Sequence, residues 1–225
     1  MERSLTVPIA ICIAGVVLAG AVYLSVRHEP STSSGNGDPI LVRPVGSTDH
    51  ILGSPAAPVQ IVEYADFDCE FCRGFSATLH QIVANEGAAG QIAWVYREFP
   101  LSEIHPNALA HAEAAECVAA TAGNDAFWAF ADSLFKNQPA DPATYGTLAA
   151  AAGVKGDAFA SCYASASSSV LARIQADRQN ALAVGARGTP YSLILVAGHA
   201  PVVMDGAYTY DAVKQLVDQA LAGAK

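Results

Sequence analysis

Residues 59–75, V-Q-I-V-E-Y-A-D-F-D-C-E-F-C-R-G-F, constrain the fold more than any other part of the chain. The apolar, β-branched run over 59–64 has the composition of a strand buried on both faces. A short acidic turn follows, and Cys69-Glu70-Phe71-Cys72 then opens a stretch with helical spacing. Strand, turn and helix start are joined without slack, which places two thiols in the first turn of a helix. The helix N-terminus favours the thiolate of the first, and the two-residue gap lets the pair close a disulfide. Cys69 is then the attacking sulfur and Cys72 the resolving one. The alternatives are an inert buried pair or half of a zinc site. No second C-x-x-C or close Cys/His pair at zinc-ligand spacing follows, so redox chemistry leads.

Downstream, residues 92–96 read as a second strand, parallel to the first because a helix over 69–85 crosses between them, giving a right-handed βαβ unit. From about 105 the pattern turns helical, with segments over 107–122, 125–136, 142–152, 157–164 and 168–184 separated by Gly, Asn and Pro breaks. An all-helical block between two strand regions reads as an insertion. Gly188-Thr189-Pro190 follows, then apolar runs over 192–196 and 202–204 around a short turn, an antiparallel hairpin. Asp211 is expected to cap a final amphipathic helix over 211–222.

Three landmarks agree in order and spacing: Glu63 six positions before Cys69, the Cys69–Cys72 motif, and Gly188-Thr189-Pro190. With them the sequence from about Val45 onward resembles the thioredoxin superfamily, and most closely the DsbA-type extracytoplasmic thiol-disulfide oxidoreductases. The resemblance implies an α/β thioredoxin fold with an inserted all-helical domain. It also implies that Glu63 moves the proton of the resolving cysteine, that Pro190 is cis, and that Thr189 lies against the disulfide and pairs its backbone with the substrate. Burial at the end of a strand independently raises the pKa expected for Glu63. Strong oxidants of the family commonly carry a histidine between the cysteines, where this chain has Glu70-Phe71. With Asp66, Asp68 and Glu70 opposing the helix N-terminus and Arg73, Cys69 is expected between the values of roughly 3.5 in DsbA and roughly 7 in thioredoxin, nearer the latter.

Residues 5–26 form an uncharged apolar stretch of 22 residues between Arg3 and Arg27, long enough to span a bilayer. The reading is an N-terminal membrane anchor over 1–28. A cleaved signal peptide ending near Ala19-Gly20-Ala21 is the competitor, although the apolar run continues past that point. Residues 29–44, rich in Ser, Gly and Pro, read as a flexible tether, with one short edge strand near 40–43. The expected domain order is thus anchor, tether, first thioredoxin part (45–104), helical insertion (105–184) and second thioredoxin part (185–225). Either N-terminal reading sends the rest of the chain outside the cytoplasm, to the periplasm or cell surface, where disulfides persist. Setting aside Cys12 in the apolar run leaves four cysteines, and the short Cys69/Cys72 loop leaves Cys117 to pair with Cys162 as a structural disulfide.

Phe71 between the cysteines and Tyr191 after the proline are candidates to line an apolar substrate groove, with sheet packing equally open for Tyr191. Arg97-Glu98-Phe99-Pro100 ends the second strand, where an exposed charged end is expected in preference to contact with the site. His105 and His111, six apart on an expected helix, fall on different faces, which argues against a metal site with the cysteines. Phe127, Trp128, Phe130 and Phe135 read as helix core, and no cofactor is expected. A net charge of −9 without a basic run argues against nucleic acid. The expected partners are unfolded or cysteine-containing extracytoplasmic proteins and a membrane redox partner that recycles the pair. An extracytoplasmic reductase and a copper(I)-handling thiol protein are the alternatives.

Overall fold

The computed structural model describes residues 37–87, 89–165 and 168–224. The anchor expected over 1–28 and the start of the tether lie outside the described residues. Among those described, no helix is long and apolar enough to cross a membrane.

A five-stranded sheet organises the chain. Its strands are β1 (His50–Gly53), β2 (Val59–Ala65), β3 (Ile92–Glu98), β4 (Tyr191–Val196) and β5 (Val202–Asp205), in spatial order β1-β3-β2-β4-β5. The β2–β3 pair is parallel and every other pair antiparallel. Helix α1 (Glu70–Asn85) makes the β2–β3 crossover. Helices α2 (Ala108–Ala122), α3 (Asn124–Lys136), α4 (Tyr145–Ala151), α5 (Gly156–Ser165) and α6 (Ser168–Val184) follow β3, and α7 (Tyr210–Gly223) closes the chain. Thr209, not Asp211, caps α7, its hydroxyl accepting from the Ala212 amide.

Alternation along the strands separates two cores. Ile61, Ala65, Trp94 and Tyr96 face Phe75, Leu79 and Ile82 of α1 and Val213 and Val217 of α7. Val62, Tyr64, Val95 and Leu193 face the other way, onto Ala181 and Val184 of α6. Each fully buried aliphatic side chain of this kind contributes about 1.5–3 kcal/mol. The helix over 168–184, expected as the last of the inserted block, therefore covers the second face of the sheet. The aromatic side chains of α3 join the first core instead, where Phe127 packs against Phe67 and Tyr96.

The lead-in differs from expectation. The tether does not run on to 44, and no strand forms over 40–43, because Pro39–Leu41 is a 3-10 turn with Asp38 as its cap. Proline at the first turn position loses no hydrogen bond and brings a suitable φ. The turn is docked on α6: the Asp38 amide donates to the Ala183 carbonyl at 2.8 Å and the Asn180 side chain bridges the Arg43 amide and the Leu41 carbonyl. At Gly37, with φ +83°, a Cβ would sit 2.4 Å from the Gly185 nitrogen, so only glycine permits this approach. The edge strand is β1.

The charged end of β3 is also not exposed. Arg97 is fully buried, its Nε donating to Asp49 at 2.9 Å and its Nη2 to the Arg43 carbonyl at 2.9 Å. Neutralisation by Asp49 and saturation of the guanidinium make that burial tolerable.

Candidate active site

Helix α1 begins immediately after the acidic turn, with Cys69 as its N-cap residue in extended conformation and Cys72 inside the first turn. Both cysteines are buried and free, yet they differ in surroundings. Cys69 lies at the wall of a cleft of about 470 Å³ that Phe71, Leu101, Ile104, His105 and Thr189 also line. Cys72 has no exposed surface. The peptide between Thr189 and Pro190 is cis, and Cys69 Sγ lies 3.3 Å from the Thr189 carbonyl oxygen. A hydrogen bond from the Cys72 thiol, helped by the Thr189 side chain and the Cys72 and Phe71 amides, outweighs burial and lowers the Cys69 pKa to about 6. Burial raises Cys72 well above the ordinary thiol value, as do its bond to Cys69 and the charges of Glu63 and Cys69. The first sulfur is thus the thiolate at neutral pH and the second holds its proton.

Strand alternation puts Glu63 on the α1 face with Ile61 and Ala65, beneath the cysteines. It is 1% exposed, and Trp94 Nε1 donates to its Oε2 at 2.8 Å. Burial pushes its pKa up to about 8, opposed by the Trp94 bond and reinforced by the Cys69 charge. Native Glu63 therefore keeps a proton that an unfolded chain releases near 4.5. Its contribution to stability is complete below about pH 4.5 and is lost as pH rises to about 8. Glu63→Gln is expected to flatten this decline. In denaturant titrations of the reduced protein above pH 8 it should be the more stable form, by up to about 5 kcal/mol.

Phe71 and Ile104 are 62% and 69% exposed and give the cleft apolar rims. Tyr191 does not line it. The register of β4 turns Tyr191 into the second core, 5% exposed, where its hydroxyl donates to the Val184 carbonyl at 3.0 Å. Cys117 and Cys162 form a disulfide between α2 and α5 with Cα atoms 5.7 Å apart, distant in sequence from the redox pair. Among the described residues no group of three or more His, Cys, Asp or Glu side chains could hold a metal ion.

Two histidines reach the acidic turn. His105 Nδ1 meets Asp66 Oδ2 at 2.8 Å, and His111 Nε2 meets Asp68 Oδ1 at 2.8 Å while its Nδ1 faces the Tyr145 hydroxyl. His105 precedes α2 rather than sharing it with His111. Sequence reasoning treated these acids only as unpaired charge. The partners lie 39 and 43 residues away, and no local spacing marks them.

Residues 46–219 match the family model described as Thioredoxin. The chain belongs to the thioredoxin family. This thioredoxin-family chain shares its fold with the crystal structure of Wolbachia pipientis α-DsbA1, at a TM-score of 0.71 and 22% identity, covering 83% of this chain and 97% of that one. The thiol-disulfide exchange protein α-DsbA2 of the same organism gives 0.67 and 18%, covering 77% and 87%. Among curated proteins, the Na(+)/H(+) antiporter NhaA 1 of Mycolicibacterium gilvum is 35% identical over 154 residues, which are 67% of this chain and 24% of the antiporter. The chain thus spans about a quarter of the length of the curated relatives it matches.

Proposed function

We propose that this chain is an extracytoplasmic, membrane-tethered thiol-disulfide oxidoreductase that forms or rearranges disulfides in cysteine-containing proteins through Cys69 and Cys72. The observation that carries the reading is the asymmetry of the two sulfurs. Cys69 stands at a cleft with its pKa lowered to about 6, while Cys72 lies buried behind it with its pKa raised. Such a pair accepts attack at one sulfur and releases the other. A substrate thiolate attacks Cys69, the Cys69–Cys72 bond breaks, and Cys72 leaves with the electron pair and takes up a proton. Glu63, protonated up to about pH 8 and close enough to influence Cys72, is the donor on this reading. A second substrate thiolate then attacks the substrate sulfur of the mixed disulfide and expels Cys69 as thiolate. The substrate dithiol has lost two electrons and the Cys69/Cys72 pair has gained them, so a membrane redox partner must reoxidise the pair each cycle.

Phe71 and Ile104 supply an apolar seat for unfolded substrate, and the Thr189 backbone before Pro190 supplies hydrogen-bonding groups for an extended one. The Cys117–Cys162 disulfide supports a location outside the cytoplasm, and the apolar stretch over 5–26 supports the tether. A Cys69 pKa near 6 suits an isomerase or moderate oxidant better than a powerful one. Turnover of insulin disulfides with a thiol reductant, beside metal analysis of the purified protein, tests the reading. Turnover lost in Cys69→Ser is expected. Stoichiometric copper(I) without turnover would replace it with the metal-handling alternative.

A further inference from the structure

Asp66, the residue that leaves β2 toward Cys69, is 1% exposed, and its carboxyl is saturated by hydrogen bonds. The Asp68 amide donates to Oδ1 at 2.8 Å, and the Leu101 amide and His105 Nδ1 both lie 2.8 Å from Oδ2. This clasp ties the turn before the redox helix to the 101–105 loop and fixes the His105 ring. Because Asp66 offers only acceptors here, Nδ1 carries a proton, and Nε2 is left to take or release the second one. The ring lines the same cleft as Cys69.

The charges around that cleft make its role specific. Asp68 and Glu70 line it as well, and Asp68 is also met by His111 from α2. Glu103, on the loop of His105, pairs with Arg178 of α6 at 3.1 Å. Among the described residues that line the cleft, His105 alone has a side chain that can carry positive charge. We propose that His105, positioned by Asp66, is the cation that balances the Cys69 thiolate each time that sulfur is expelled from a mixed disulfide. This rests on the exchange reading of the Cys69/Cys72 pair. In the step, the substrate sulfur–Cys69 bond breaks, a new substrate disulfide forms, and the electron pair stays on Cys69 Sγ. No proton moves, since the charge is met by an imidazolium already in place.

Burial draws the His105 pKa down, but the Asp66 bond and charge, the Cys69 thiolate and Asp68 more than reverse this, and the net shift is upward. The coupling is reciprocal: whatever the imidazolium does for the thiolate, the thiolate does for the imidazolium.

That reciprocity supplies a test needing no variant. The His105 ring signals of the full chain are titrated by NMR in the dithiol and disulfide forms, and the dithiol form should titrate about one unit higher, a tenfold change in proton affinity. A positioning role without charge coupling leaves the two curves coincident. His105→Gln should raise the Cys69 pKa by about one unit and lower the potential of the pair by about 30 mV, with His105→Lys restoring both. Coincident His105 titrations and an unmoved Cys69 pKa, in a wild-type chain that still turns over insulin disulfides, would overturn the role of His105 and leave the exchange reading standing. Absence of turnover in the wild type would instead remove the exchange reading.

Discussion

Cys72→Ser is expected to accumulate mixed disulfides with client proteins, visible as reductant-sensitive adducts on non-reducing gels, whereas Cys69→Ser accumulates none. The cause is positional. Of the two sulfurs only Cys69 faces the cleft, so on the proposed mechanism it alone bonds to substrate, while Cys72 sits behind it at zero exposure. On the same mechanism Cys72 of the parent chain attacks that bond intramolecularly, at an effective concentration on the order of millimolar or above. Serine removes this attack, and the adduct then waits for an external thiol. Equal trapping by both variants would reverse the assignment of attacking and resolving sulfurs.

Removing the second bond should produce the largest loss of stability. Cys117 and Cys162 join α2 to α5 across a sequence separation of 45. Opening a loop of that length costs about 4 kcal/mol in the chain-entropy treatment, or roughly 8–16 °C of unfolding midpoint for a domain of this size. The double variant Cys117→Ala/Cys162→Ala isolates this effect, since neither residue touches the cleft. It should unfold at lower temperature while retaining exchange below its midpoint. Two free thiols at 117 and 162 in the parent protein, found by mass spectrometry, would exclude the bond altogether.

What the sequence disclosed follows from the range over which its signals act. The β2–α1 junction is written locally, as a β-branched run, a turn and a cysteine pair, and β3 and α7 are set by short-range periodicity. Glu63 was readable because an acid in a buried strand breaks the pattern around it. Arg97 was misjudged for the opposite reason: a charge at a strand end looks exposed until Asp49, 48 residues away, is known to neutralise it. The clasp of Asp66 on His105 and the turn of Pro39–Leu41 against α6 are likewise products of tertiary contact. Tyr191 follows the same rule. Its identity suits a groove or a core equally, and only the register of β4 against β2 decides for the core.

The chain contains two tryptophans, and they pack on one another beside the buried acid. Trp94 holds Glu63 through its indole N–H, and Trp128 of α3 packs on Trp94 with ring centroids 4.5 Å apart. The tryptophan emission of this protein therefore comes from one place, the packing around Glu63. An optical signal taken as a measure of global unfolding also registers the protonation of a single carboxyl, and separating the two requires a probe elsewhere in the molecule.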